Sequence, residues 1–487
     1  VPPGVYRTGT LYLRSRVRLH LDAGAVLRGS PDPADYNAED VFPENQVFSF
    51  EGVSGAHLLI GYRLEDVAIT GRGTIDGNSA AFLGPIPDGV DPMNYRTKQP
   101  KCGRGDWRPA QMVYFCRCRR VAVRDVSLLD APYWTLFLFG CEDVTVRGLT
   151  IRNPAPTPNG DGIDIDCSRN VRVSDCLIES GDDALTIRAN PAALPEPVPC
   201  ENVTVTNCVL SSPCCAIRVG VGAGTIRHCA LSNLVIPAAR HGVHLVCKYS
   251  ARVPGGVRIA DVSFSNLSID AVVPLFALVG EGAAAPAGIE NVRFAGVRAR
   301  GDSGCYIAGE GDLPVRGLRL IDWDLTCHGG SDSEAFAAGP PQPLPNEVRW
   351  TPGHTGDRAA AAMPAGLYAT CLDDVVIDGF RVRWEPPLGR TWQSGLFLDR
   401  ASGVDLRGLH LGSPGGAGAT AVRLRGARNV SVRACRAAAG TGTFLAIEET
   451  PAGAPPAALV GNDLHAAATG VQADVPPREA GNLRPEE

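Results

Sequence analysis

The chain has 487 residues, of which 20% are charged, and its formal net charge is −6. This charge content suits a folded surface rather than disorder, and a negative balance disfavours a nucleic-acid partner, which selects basic proteins. No stretch approaches the roughly 18 apolar residues of a membrane helix. We therefore expect a soluble protein whose partner is neither a nucleic acid nor a membrane, with the oligomeric state left open.

The chain begins Val1-Pro2-Pro3-Gly4, without a charged segment that leads into an apolar one. A secreted and a cytoplasmic location therefore both remain open. Several of the 16 cysteines, such as Cys116, Cys176 and Cys208, fall in strand-like segments, where we expect small buried apolar side chains. The cysteine spacing lacks the paired CxxC motifs of a zinc site, so we predict no metal and no cofactor.

A short repeat runs through most of the chain, in which a polar residue precedes Val-x-Val or a close variant. Its copies are Asp66–Ile69, Arg120–Val123, Asp143–Val146, Asn170–Val173, Asn202–Val205, Asn291–Phe294, Asp374–Ile377 and Asn429–Val432. Successive early copies begin at Arg120, Asp143, Asn170 and Asn202. This spacing is too close for propeller blades of about 40–45 residues, and a jelly roll does not repeat so often.

Apolar residues alternate within each copy, as Val171 and Val173 do, and a period of two is typical of strands with one buried face. We predict an all-β fold, a single-stranded right-handed parallel β-helix in which each copy contributes one coil. Because a solenoid grows along one axis, residues 1–487 are predicted to form one domain. The loop insertions Pro87–Asp106 and Gly329–Gly366 are expected to wall a cleft or to cap it.

Two acidic clusters lie about one coil apart. The separation of Asp161 and Asp182 in the sequence is close to one copy of the repeat, and Asp183 follows directly, so the three carboxylates are expected on neighbouring coils of one face. Their mutual repulsion would divide them into an acid and a base, as glycoside hydrolysis requires. The flanking glycines would let a sugar approach the backbone. Turn aspartates are often structural, and Asp164 and Asp166 are expected to form a solvated strand face.

The chain also resembles glycoside hydrolase family 28, the polygalacturonases and their relatives. The resemblance runs in order through VPPGVYRTGTLYLRSRVRLHLDAGAVLRGS, VAITGRGTIDGN, RPAQMVYF and DAPYWTLFLFGCEDVTVRGLTIRNP. The family's Asn-Thr-Asp motif is matched by Asn159-Gly160-Asp161, with Gly in place of Thr, and its Gly-Asp-Asp motif by Gly181-Asp182-Asp183. Asn159 is predicted to bind the substrate. The resemblance implies that Asp182 is the general acid, that Asp161 and Asp183 hold and deprotonate water, and that the reaction inverts the anomeric configuration without a metal.

Two motifs of this family are absent. Cys215 stands where the family has the histidine of Gly-His-Gly, and His244-Leu245-Val246 stands where it has Arg-Ile-Lys. The resemblance implies that this Arg and Lys bind the substrate carboxylate, so ordinary polygalacturonate is placed in doubt. Candidates to line an altered sugar pocket, each of which could equally be a solvated surface residue, are Arg188, Arg218, Arg240, His241, His244 and Lys248.

Two further features leave alternatives open. Trp134, next to Tyr133, could stack on a sugar ring or serve as a core aromatic. Cys214-Cys215 are expected to be packing residues, because a nucleophilic thiol needs an activating base that the neighbouring sequence does not display.

We predict a glycosidase acting on a pectin-like or related plant or microbial oligosaccharide. A lyase or epimerase on the same fold and a non-catalytic carbohydrate-binding solenoid are the alternatives.

Overall fold

The structure, a computed structural model, describes residues 1–37, 42–45, 53–83, 107–153, 157, 159–249, 253, 255–329, 365–388, 392–415 and 419–485. The chain divides into two compact units, Val1–Arg240 (the first unit) and His241–Glu487 (the second unit). The described ranges contain no α-helix, only three short 3-10 turns at Pro33–Asp35, Ser79–Ala81 and Pro191–Ala193. No helix in these ranges is long and apolar enough to cross a membrane.

The first unit is built of short strands. They are β1 Gly4–Thr8, β2 Leu11–Tyr12, β3 Arg18–Leu21, β4 Ala25–Gly29, β5 Leu59–Tyr62, β6 Glu65–Gly71, β7 Thr74–Asp76, β8 Val113–Cys116, β9 Arg119–Arg124, β10 Ser127–Leu129, β11 Leu136–Phe139, β12 Glu142–Arg147, β13 Thr150–Arg152, β14 Ile163–Asp166, β15 Arg169–Ser174, β16 Leu177–Glu179, β17 Leu185–Ala189 and β18 Cys200–Gly222. The boundary between the units falls inside β19, Thr225–Val246.

Strands β1 to β15 pair in parallel with the strand three places further along the chain, and β16 and β17 pair with later parts of the long β18, so that each coil lies on the one before. The first ladder joins β5, β8, β11, β14, β17 and the end of β18. The second joins β3, β6, β9, β12, β15 and the start of β18. The third joins β4, β7, β10, β13, β16 and the middle of β18. This is the architecture of a parallel β-helix.

Columns of aliphatic side chains fill the interior of the first unit. Leu128, Ile151, Ile178 and Leu210 occupy matching positions on successive coils of the third ladder, and all four are fully buried. Alternate residues point into the coil, so the period-two pattern of the sequence becomes a stack of like residues.

The polar residue at the start of each repeat copy stands at a corner of the coil. Asp143, Asn170 and Asn202 have φ values of 56°, 56° and 57°, in the left-handed region that Asn and Asp tolerate best. Their side chains form a ladder, because Asn170 Nδ2 donates to Asp143 Oδ1 and Asn202 Nδ2 donates to Asn170 Oδ1, both at 3.0 Å. The repeat signal therefore reflects a backbone requirement at every corner.

The second unit begins with mostly long strands and ends with short ones. They are β20 Arg258–Leu278, β21 Gly288–Gly301, β22 Cys305–Ala308, β23 Val315–Gly329, β24 Ala365–Leu388, β25 Ser394–Arg407, β26 His410–Leu411, β27 Thr420–Arg425, β28 Arg428–Arg433, β29 Arg436–Ala437, β30 Thr441–Glu448, β31 Ala458–Val460, β32 Ala467–Ala473 and β33 Arg478–Ala480. Their pairings are parallel too, and matched columns recur, as Val375, Val404 and Val430 show.

These observations confirm the predicted all-β parallel β-helix. The prediction that residues 1–487 form one domain stays a prediction. The insertion at 87–106 and residues 330–364 of the other insertion lie outside the described residues. Cys116, Cys176 and Cys208 are buried as expected, and all fifteen cysteines of the described ranges are free thiols.

Candidate active site

The predicted acidic residues lie in the turns that lead into the first ladder. Ile163 pairs with Leu185, and Leu185 pairs with Ile217. Gly162 N donates to Asp183 O and Ala184 N donates to Cys215 O. Two residues ahead of the paired strands, the same register therefore stacks Asp161, Asp183 and Cys215 on three successive coils.

The carboxylates of Asp161, Asp182 and Asp183 (the carboxylate cluster) come together in this column. Each offers an oxygen that lies within 4.8 Å of the others, and the three residues are only 4%, 1% and 4% exposed. One coil here advances 22 residues, as from Asp164 to Thr186, so Asp161 stacks on Asp183 and Asp182 stands beside that pair. The sequence spacing had already indicated this clustering.

Serines and glycines shape the turn that carries Asp182. The hydroxyls of Ser180 and Ser212, on consecutive coils, both donate to the backbone carbonyl of Asp182. A Cβ on Gly162 would lie 2.4 Å from Ala184 O, and one on Gly181 would lie 2.7 Å from Thr157 Cβ. These glycines are required for close contact between coils. The expected role of these glycines, which is to let a sugar approach the backbone, stays a prediction.

Arg218 pairs with the carboxylate cluster through Asp183. Its Nε donates to Oδ2 and its Nη2 donates to Oδ1 at 2.8 Å, while Cys215 N donates to the same Oδ1 at 3.2 Å. Burial opposes the guanidinium charge, but the Asp183 carboxylate outweighs it and holds the pKa of Arg218 well above its usual value. Arg218, predicted as a sugar-pocket residue, lies in the site and forms an ion pair with one of its carboxylates.

Arg188 lies one coil below Arg218 and is also ion-paired. Its Nε is 3.3 Å from Asp166 Oδ2, its Nη1 is 3.7 Å from Asp164 Oδ1, and the guanidinium lies 4.4 Å from the centre of the Trp134 ring. Trp134 is 3% exposed and stacks on Tyr133 at 5.0 Å. The structure thus favours a core aromatic over a sugar platform, and Arg188 supports that core.

The expectation that Asp164 and Asp166 form a solvated face is wrong. They are 0% and 2% exposed, because both face the Arg188 side chain, and Thr186 donates a hydrogen bond to Asp164. Burial raises the pKa of Asp164 to about 7 against the opposing charge of Arg188, and it raises the pKa of Asp166 as well. This pairing follows from the register that sets Asp166 beside Arg188 on the next coil, which the alternation of residues in the sequence does not supply.

Two anchors behind the carboxylate cluster did not appear among the predicted site residues. Arg108 is 1% exposed, and its Nη2 donates to Asn159 Oδ1 at 3.0 Å, which fixes a residue predicted to bind substrate. Asn153 Nδ2 donates to Gly160 O at 3.0 Å and to Thr135 Oγ1 at 2.7 Å. Arg108 lies in RPAQMVYF and Asn153 lies in DAPYWTLFLFGCEDVTVRGLTIRNP, two segments that carry the family resemblance. Their place in these segments was the sequence feature that could have identified them.

The thiols of Cys214 and Cys215 are buried as predicted, but they lie at the site. Their sulfur atoms are 3.8 Å apart, and Arg218 Nη2 is 3.6 Å from Cys214 Sγ and 3.2 Å from Cys215 Sγ. A sulfur of each and an oxygen of Asp183 lie within 4.8 Å of one another. The neighbouring sequence did not indicate this arrangement, because Asp183 is 32 residues from Cys215.

The remaining predicted binding residues are buried side chains. In the first unit, Arg240 is 3% exposed. In the second unit, His241 and His244 are 4% and 1% exposed, with ring centres 5.0 Å apart, and both contact Phe276. Lys248 is 7% exposed and donates to the carbonyl of Val253. The reading of these residues as solvated surface is wrong, and their role in binding stays a prediction.

Fold and site together define a parallel β-helix protein with an acidic centre built on its coils. Residues 45–273 match the family model described as glycosyl hydrolases family 28. Over this range the chain is similar to the family that its motifs resemble. The matched range includes the whole carboxylate cluster.

Individual relatives agree with this assignment. A probable polygalacturonase from Vitis vinifera is 29% identical over 192 residues, which is 39% of this chain and 36% of that protein. The matches to the first three curated relatives cover 36%, 46% and 63% of their own lengths.

Two solved structures support the fold. A family 28 exopolygalacturonase from Yersinia enterocolitica has a TM-score of 0.56 at 16% identity, covering 84% of this chain and 72% of that one. An exopolygalacturonase from Thermotoga maritima has a TM-score of 0.50 at 22% identity, covering 67% and 79%. The predicted right-handed parallel β-helix is confirmed.

Proposed function

We propose that the chain is a glycosidase whose reaction takes place at the carboxylate cluster. The observation that carries the proposal is the convergence of Asp161, Asp182 and Asp183, with oxygens within 4.8 Å of one another, in the part of the chain that matches the family model. Glycoside hydrolysis needs one carboxylic acid for the leaving oxygen and one carboxylate opposite it.

The arrangement supports a division of labour among the three aspartates. Carboxylates this close cannot all ionise freely, so the cluster retains a proton. Arg218 keeps Asp183 ionised through its paired hydrogen bonds, which leaves the proton to Asp161 and Asp182. In the proposed mechanism Asp182 donates the proton to the leaving oxygen. Asp161, with Asp183 stacked on it, orients and deprotonates the water.

A single water suits the space between two such carboxylates. Oxygens that each accept one hydrogen bond of about 2.8 Å from the same water lie roughly 4.5 Å apart, which the 4.8 Å limit of the cluster accommodates. The proposed mechanism requires no metal, because the carboxylates supply both the acid and the base.

We propose inversion of the anomeric configuration on the strength of the family resemblance. The close spacing of the cluster favours the opposite outcome, since carboxyl groups of inverting enzymes are usually about 6.5–9.5 Å apart and those of retaining enzymes about 5–5.5 Å. Proton NMR of the first product decides between them. An anomer opposite to that of the substrate supports inversion, and the same anomer supports a covalent intermediate.

The proposed substrate is a pectin-like or related oligosaccharide. In the first unit, the guanidinium of Arg218 already forms an ion pair with Asp183. The guanidinium of Arg188 forms ion pairs with Asp166 and Asp164. A uronate carboxylate would compete with these aspartates for the same cations. We therefore place a neutral or sparsely charged sugar at the cleaved bond ahead of plain polygalacturonate.

Incubation with a panel of pectic and other plant oligosaccharides tests the proposal. New reducing ends support a hydrolase, an unsaturated product that absorbs in the ultraviolet indicates a lyase, and neither product indicates a binding protein. Asp182→Asn should lower kcat by about 10²–10⁴-fold with an unchanged circular dichroism spectrum.

The exposed corner variant Asp175→Asn is the matched control, because it makes the same substitution on the same coil and should leave kcat unaltered. Near-normal turnover of Asp182→Asn would rule out the assigned acid.

A further inference from the structure

Cys214 and Cys215 direct both of their thiols to one point. Side chains of consecutive residues in a strand normally point to opposite faces, yet these two sulfur atoms are 3.8 Å apart. A carboxylate oxygen of Asp183 completes a triad in which all three atoms lie within 4.8 Å of one another. The pair stands where the family resemblance expects Gly-His, so the arrangement is a property of this chain.

The spacing of the sulfur atoms matches a tetrahedral metal centre. With zinc–sulfur bonds of about 2.3 Å and tetrahedral angles, two thiolate ligands of one ion lie roughly 3.8 Å apart. Thiolates prefer soft or borderline cations, whereas Mg²⁺ and Ca²⁺ prefer oxygen ligands. We propose that Cys214, Cys215 and Asp183 form a binding site for a thiophilic d¹⁰ cation of the Zn²⁺ class.

Arg218 has two opposing effects on such a site. Its Nη2 lies 3.2 Å from Cys215 Sγ and 3.6 Å from Cys214 Sγ and donates hydrogen bonds that orient the two sulfur atoms. The guanidinium also repels a cation and holds the same Asp183 carboxylate. With three protein ligands and a competing cation, the site binds more weakly than a four-ligand structural zinc site and releases the ion to a chelator.

Occupancy of this site bears directly on the carboxylate cluster. An ion on the two thiolates competes with Arg218 for Asp183, which stacks on Asp161 and takes part in the proposed water activation. The cation is therefore a reversible inhibitor of the proposed glycosidase, and this consequence rests on the proposed function. Binding of the cation does not depend on the proposed function. Any opening that brings a sugar ring to Asp182 also admits a hydrated ion to the adjacent thiols.

Cadmium provides a direct readout, because Cd²⁺–thiolate bonds give an ultraviolet charge-transfer band whether or not the protein is active. The reduced chain, titrated with Cd²⁺, should develop this band at one equivalent and lose it with EDTA. Cys214→Ser and Cys215→Ser should each abolish the band.

The control is Cys176→Ser/Cys208→Ser, a second pair of buried neighbouring thiols, which should keep the band. Persistence of the band in both site variants, with native circular dichroism, would overturn the proposal, and so would its loss only in the control.

An activity assay addresses the consequence separately. Zn²⁺ should lower the turnover of the wild type by roughly tenfold or more, with recovery on adding EDTA, and should spare any residual activity of Cys214→Ser. If no oligosaccharide is cleaved, the proposed function fails while the cadmium band still decides the metal site. If turnover is present but insensitive to bound Zn²⁺, the inhibitory role is wrong.

Discussion

Replacement of Arg218 by methionine tests whether a buried ion pair holds the site together. The pair is 2% and 4% exposed, so solvent screens it little, and the guanidinium makes two hydrogen bonds to Asp183. Removing one member of such a pair leaves a buried charge uncompensated and costs about 3–5 kcal/mol. For a unit of this size, that loss corresponds to a fall in Tm of roughly 6–20 °C.

Differential scanning calorimetry measures this loss, and the chain offers a matched control. Arg120 forms the same two-bonded arrangement with Asp66, through contacts of 2.6 and 2.9 Å, but both side chains are exposed. Arg120→Met should lower Tm far less, because water screens the charges. Adding Asp183→Asn to Arg218→Met should recover part of the stability, since no charge is then stranded. Equal losses in Arg218→Met and Arg120→Met would refute the reasoning.

Two further predictions concern the neighbouring ion pair. Burial raises the pKa of Asp164 to about 7, above the value of about 3.9 in an unfolded chain. Between these values the folded state binds one more proton than the unfolded state, so the protein loses stability as pH rises from about 4 to 7. Asp164→Asn should flatten that decline in denaturant titrations at several pH values, and an unchanged slope would contradict the prediction. Trp134→Leu removes a buried cation–π contact with Arg188 and should lower the free energy of unfolding by about 2 kcal/mol or more, with little change in KM. A raised KM at full stability would instead support stacking of Trp134 on a sugar ring.

The sequence carries the fold because every coil repeats the same physical requirement. Asp143, Asn170 and Asn202 recur since a corner with positive φ tolerates Asn and Asp, and the valines that follow recur since each fills the same interior column. The alternation of apolar residues is enough to place Val171 in a strand with its side chain buried. The strands and the coil architecture were therefore predictable from the local sequence pattern.

The site was only partly predictable, because its contacts depend on register between coils. The clustering of Asp161, Asp182 and Asp183 followed from a spacing close to one coil. The burial of Asp164 did not, since its partner Arg188 belongs to the next coil and the same alternation of Ile and Asp also suits an exposed strand. Register decides which polar residue meets an opposite charge, and single-sequence periodicity does not supply it.

Unequal coil lengths explain why this register survives around the carboxylate cluster. The first ladder advances 22 residues from Asp164 to Thr186, whereas the second ladder advances 32 residues from Asn170 to Asn202. The additional residues must therefore lie between the end of β17 and the start of β18, beyond the turn that carries Asp183. The coil lengthens after Asp183, so Asp161 and Asp183 stay aligned. The pairing of Leu185 with Ile217 shows that the register is regained beyond the additional residues, which brings Cys215 into the same column.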